Sequence, residues 1–70
     1  MEFKIKKHIA TITKTKHNTL ELNYVSFDNR PAKLDLRRWG TGEDGERVPY
    51  KGIQIDELEF EELKKVMECI

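Results

Sequence analysis

The chain has 70 residues, with 13 Lys/Arg balanced by 13 Asp/Glu and a single cysteine, Cys69. That length makes one domain, residues 1–70, whose modest core is only marginally stable alone. An intrachain disulfide is excluded, no stretch approaches membrane-spanning length, and His8 and His17 lack Cys or His partners at metal-ligand spacing.

Phe3 to Lys14 is rich in Ile and Thr with interspersed Lys, which predicts a strand. Its parity is impure, since Phe3, Ile5 and Ile9 are odd while Ile12 is even, so a bulge or bend is expected. Lys16-His17-Asn18 reads as a polar turn. Leu20 to Phe27 is the second strand, with Leu20, Leu22 and Tyr24 on one face and Glu21, Asn23, Val25 and Phe27 on the other. Asp28-Asn29-Arg30-Pro31 carries turn chemistry. Lys33 to Trp39 is the third strand, pairing with the second as a hairpin. Gly40 to Glu46, with three glycines, is expected to be an exposed, mobile loop. Tyr50 to Ile55 is the fourth strand.

Helix initiation follows at once. Asp56 is placed as N-cap, with Glu59 completing a capping box and Ile55 and Phe60 forming a staple. Phe60, Leu63, Val66, Met67 and Ile70 fall within an arc of roughly 120°, a stripe facing the core or a dimer partner. The expected fold is therefore α+β: a four-stranded antiparallel curved β-sheet followed by one C-terminal helix. One helix covers one face of such a sheet, and the other must meet solvent, a ligand or a second subunit. With neither disulfide nor metal indicated, a homodimer is the expected support.

The zero net charge hides an asymmetry. Residues 1–51 carry 11 Lys/Arg against 7 Asp/Glu, and residues 52–70 carry 2 against 6. The strand-rich part is basic and the helical tail acidic, which bears on partners more than the total does. Alternation puts Asp35, Arg37 and Trp39 on one face of the third strand and Leu34 and Leu36 on the other. A guanidinium beside the only tryptophan, on an open sheet, suits unpaired nucleotides: the cation meets phosphate and the ring stacks on a base.

The run Asp35-Leu36-Arg37-Arg38-Trp39, the Gly-rich acidic loop, and Pro49-Tyr50-Lys51-Gly52-Ile53-Gln54-Ile55 before a capped helix resemble a known family. It is the C-terminal domain of the transcriptional coactivator positive cofactor four, and the similarity is nearest to its short bacterial relatives. The match covers roughly residues 20–67. The resemblance implies a homodimer of curved sheets, with helices contributing to the contact, that binds single-stranded DNA with little sequence preference. By position it makes Trp39 and Phe27 stacking residues and Arg37 and Lys51 phosphate contacts; Lys33 joins them as a nucleic-acid-binding candidate. Leu36 and Ile55 stand where the family has Ile and Leu, the Arg-to-Trp spacing fits the bacterial form, and the coactivator's Ser-rich regulatory tail is absent.

Each candidate has a structural reading beside the functional one. Trp39 and Phe27 also suit packing, and the resemblance is what favours stacking for them. Arg37 has a cross-strand acid, Glu21, to pair with, and Lys33, Lys51, Lys14, Lys16 and His17 suit solvated edges and turns. Glu43, Asp44 and Glu46 lack the spacing of a calcium loop. No nucleophile motif, phosphate loop or paired-carboxylate signature is present, so a non-enzyme without cofactors is expected. The expected setting is cytoplasmic, or nucleoid-associated in a bacterium, in transcription, replication or repair and alongside proteins of those processes. The alternatives are an RNA-binding module and a protein-interaction scaffold dimer. Stacking and phosphate contacts do not separate DNA from RNA.

Overall fold

The computed structural model describes residues 2–70. Four antiparallel strands form a curved, unclosed sheet, and one helix follows. The strands are β1 (Phe3–Lys14), β2 (Asn18–Phe27), β3 (Lys33–Thr41) and β4 (Arg47–Ile55), hydrogen-bonded in chain order, and the helix is α1 (Glu57–Glu68). Among the described residues, no helix is long and apolar enough to cross a membrane.

The mixed parity of β1 has a simple origin. Its register against β2 slips between Ile5 and Lys7, between His8 and Ala10, and between Thr11 and Thr13. Lys6, Ile9 and Ile12 are thus extra residues, and each extra residue bends the strand and increases its twist. A fourth irregularity lies between Arg37 and Trp39, where Tyr50 and Lys51 of β4 together oppose Arg38.

The bends curl the sheet upon itself. Phe3 pairs with Phe27 at one end of β2, and Trp39 pairs with Thr19 near the other. On a flat sheet those pairs would be about 27 Å apart, at 3.4 Å per residue. Yet the Phe3 and Trp39 rings lie 5.0 Å apart, tilted by 55°. Curling buries Val25, Trp39, Asn23, Asp35 and Glu21 inside the concave face, with no second layer over them.

The turns follow from local chemistry. Asp28 and Asn29 both take positive φ, 51° and 62°, and the Arg30 N–H donates to the Phe27 carbonyl at 3.0 Å. Asn and Asp tolerate that region best among residues with side chains. Gly45, at φ 84°, closes the β3–β4 hairpin, and the Gly42 N–H bonds the Glu46 carbonyl at 2.7 Å. The strands therefore run further than expected, to Thr41 and from Arg47, and the loop shrinks to Gly42–Glu46. Gly40 leaves its face open, and the Tyr50 ring fills the space a Cβ would need.

The helix begins as its sequence dictates. The Asp56 carboxylate accepts from the Glu59 N–H at 2.7 Å, and the Glu59 carboxylate accepts from the Asp56 N–H at 2.9 Å. The expected apolar stripe is not buried within one chain: α1 has no buried residue. Phe60, Leu63 and Met67 face Ile12, Leu22, Leu36, Ile53 and Ile55 across an apolar gap of about 100 Å³. Val66 and Ile70 are exposed, at 61% and 99%. Part of the stripe, Phe60, Leu63 and Met67, thus faces the sheet without being buried by it, and Val66 and Ile70 are left to solvent in the single chain.

Candidate nucleic-acid interface

Two units of the same kind stand on the concave face, each made of a buried acid, an arginine and an aromatic ring. In the first, Arg37 Nε donates to both Asp35 carboxylate oxygens, at 2.7 and 2.9 Å, and its Nη1 donates to the Tyr50 carbonyl at 3.2 Å. The guanidinium carbon sits 4.9 Å from the Phe27 ring centre. Asp35 is fully buried. Arg37 crosses above Gly52, its cross-strand partner, where a Cβ would run into the Arg37 Cβ and the Leu36 carbonyl. The glycine of the Lys51-Gly52-Ile53 run is thus the gap through which Arg37 passes.

In the second unit, Arg47 Nη2 donates to Glu21 Oε2 at 2.5 Å, and its guanidinium carbon lies 5.0 Å from the Trp39 ring centre. Glu21 also accepts from Thr19 and from Asn23, and Asn23 Oδ1 lies 2.6 Å from His8 Nδ1. Burial pushes the Glu21 carboxyl up. The hydrogen bonds from Thr19, Asn23 and Arg47, with the Arg47 charge, outweigh that and hold it below the ordinary carboxylate range. Glu21 is therefore a buried anion whose lone pairs are occupied.

This geometry revises several expectations. Trp39 was expected to lie open on the face, and it is 1% exposed, enclosed between Phe3 and Arg47. Stacking on its indole requires one of those side chains to swing aside. Arg37 pairs with Asp35 two residues back on its own strand, and not with Glu21, which Arg47 takes. Phe27 is half-buried beneath Arg37, whose side chain is 15% exposed. Lys33 and Lys51 are exposed, and among the described residues neither has a carboxylate within 4.0 Å. Lys51 stands at the bulge beside Tyr50, opposite Arg38, and not at a position paired with Arg37.

Arg47 is the member of the second unit that sequence reading missed. Its signal was present but faint: extending β4 back through Pro49 puts Arg47 opposite Thr41, two pairs along the hairpin from the Trp39–Pro49 pair and so on the same face. The proline and the glycines of the loop give that extension little local support.

Around the second unit the β1–β2 turn and the ends of β3 and β4 frame an open polar cleft of about 410 Å³. Among the described residues no group of three or more His, Cys, Asp or Glu side chains is placed to hold a metal ion. No protein-family model matches the chain, and no curated protein matches its sequence.

Proposed function

We propose that this chain is a non-enzymatic single-stranded DNA-binding protein with little sequence preference, acting as a homodimer in transcription regulation or in DNA replication and repair. The observation that carries the reading is the pair of arginines, Arg37 and Arg47, each laid over an aromatic ring on one face of the sheet. A guanidinium over a ring offers two things at once. It is a cation for phosphate and a plane on which a base stacks, supported from below by the ring. Neither contact reads a base edge, so the predicted binding tolerates any sequence. Phe27 and Trp39 then act beneath their arginines, and Lys33 and Lys51 supply exposed charge along the strand path.

Buried Asp35 and Glu21 fix where the guanidinia sit. They also set a cost, because a phosphate must compete with a carboxylate for each arginine. The reading is tested by fluorescence anisotropy with labelled oligo-dT and with the dT·dA duplex, at two salt concentrations. Tighter binding of the single strand, falling with a log–log slope of about −0.7 per phosphate neutralised, is expected. A binding constant that salt leaves unmoved would remove the electrostatic account.

A second reading, an interaction dimer whose apolar surface meets another polypeptide, draws on the exposure of Ile12, Ile53, Val66 and Met67. A second copy of the chain uses the same residues and leaves the concave face free, so the two readings separate on whether the strand binds. An RNA strand in the same titration tests the remaining alternative.

A further inference from the structure

We propose that the polar cleft beside the β1–β2 turn is a subsite for one nucleotide of an unpaired strand, its phosphate on Lys14 and Lys16 and its base toward Trp39. This rests on the single-strand reading and carries it beyond Arg37 and Phe27 to an open cleft with room for one nucleotide. Three observations support it.

The cleft has the right size and charge. Its volume of about 410 Å³ falls within the roughly 300–1,000 Å³ of small-molecule sites. Lys14, Lys16 and Arg47 line it, and Glu21 is the one acid among its lining residues. Glu21 is already occupied by Arg47, Thr19 and Asn23. Lys14 and Lys16 are exposed, with no carboxylate within 4.0 Å among the described residues. The cleft thus presents cations and hydroxyls to an anion and no free carboxylate to repel one.

An unused donor lies in its wall. Trp39 lines the cleft, and its Nε1–H, buried, has no hydrogen-bond partner among the described residues. A buried N–H left unpaired is costly, and buried polar groups of native proteins nearly always find a partner. Once Arg47 or Phe3 moves aside, an acceptor oxygen on a phosphate or a base would supply one.

The cleft lies near the first unit. The Phe3 ring packs on Trp39, and Phe3 is the cross-strand partner of Phe27. Packed aromatic rings therefore run from the Arg37 unit to the wall of the cleft. The turn itself is firm, since Thr15 Oγ1 accepts from the N–H groups of His17 and Asn18 at 3.3 and 3.1 Å.

The test is a set of amide and indole N–H spectra of the whole chain titrated separately with dTMP, thymidine and inorganic phosphate. We expect dTMP to shift residues 15–19, Thr41 and the Trp39 indole at concentrations where thymidine and phosphate do not. Equal shifts with phosphate alone would mean an anion site without nucleotide recognition, and would overturn the proposal. So would unmoved resonances with dTMP. In the Lys14→Ala/Lys16→Ala double variant, whose own spectrum reports its fold, the dTMP shifts should vanish. The oligo-dT salt slope should become shallower by about 0.7, one phosphate's worth. An unchanged slope, with oligo-dT still bound, defeats the subsite and spares the single-strand reading. If dTMP fills the cleft while oligo-dT fails to bind, the single-strand reading falls and the nucleotide site stands.

Discussion

Glu21 is the residue on which the Trp39 unit turns. Its carboxylate is nearly inaccessible, yet it holds Arg47 over the ring and receives Thr19 and Asn23. Because the fold lowers its pKa from the usual 4.5, the unfolded chain binds more protons than the folded one just below that value. The stabilisation is therefore complete above pH 4.5 and is lost as pH falls through the lower folded value. Thermal melts from pH 7 to 3 should show the wild type losing stability more steeply in that window than Glu21→Gln, which does not titrate. Parallel losses would mean Glu21 is not a stabilised anion. Arg47 gives a second residue-scale outcome. Arg47→Ala removes one cover from the only tryptophan, so acrylamide should quench the indole emission more strongly while the chain stays folded. Quenching equal to wild type would show that Phe3 and the sheet enclose Trp39 without Arg47. Residue identity alone did not reveal this: Trp39 and Arg37 could be placed on one face by alternation, but the cation over Trp39 comes from β4 and depends on where that strand starts.

At the scale of elements, legibility follows how local the determinants are. The capping box of α1 was readable because Asp56 and Glu59 satisfy each other's backbone N–H within one turn. Asp56→Ala should lower stability by about 1 kcal/mol, measured by chemical denaturation. An unchanged midpoint would mean that the helix start is held by something else, such as the 3.4 Å bond from the Tyr24 hydroxyl to Glu57. The parity of β2 and β3 was readable for the same reason, since their pairing runs from Asn18↔Gly40 to Val25↔Lys33 without a slip. The mixed parity of β1 signalled irregularity but not its amount. Three separate extra residues, and the curl they impose, depend on how β1 lies along β2, which no local pattern encodes. The sequence reading began β4 at Tyr50, because Arg47-Val48-Pro49 after a glycine-rich loop carries no alternation that marks a strand. In the fold, Pro49 pairs with Trp39 on the outer strand of the sheet, where a missing N–H costs no ladder bond.

For the whole molecule, curling divides the sheet into two unlike surfaces. The concave face buries Asp35, Glu21 and Asn23 in hydrogen-bonded networks and ties Arg37 and Arg47 to the two acids. The other face keeps its leucines and isoleucines under a helix that fails to cover them: Ile12 and Ile53 are 54% and 57% exposed, and Val66 and Met67 are each 61% exposed. A 70-residue chain has little stability to spare, and this much unburied apolar surface on both the sheet and the helix facing it is what a second copy would remove from water. At about 25 cal/mol per Å², covering several such side chains is a large fraction of the few kcal/mol such a domain retains. Assembly and folding should therefore be linked, with stability rising with protein concentration. Light scattering at micromolar concentration should give twice the 8.3 kDa chain mass. Val66→Asp, a change on an exposed position that removes no contact within one chain's core, should split the dimer and lower the melting temperature together. A wild-type monomer that melts at the same temperature at every concentration would show that one chain is sufficient. The exposed stripe of α1 would then belong to a different partner.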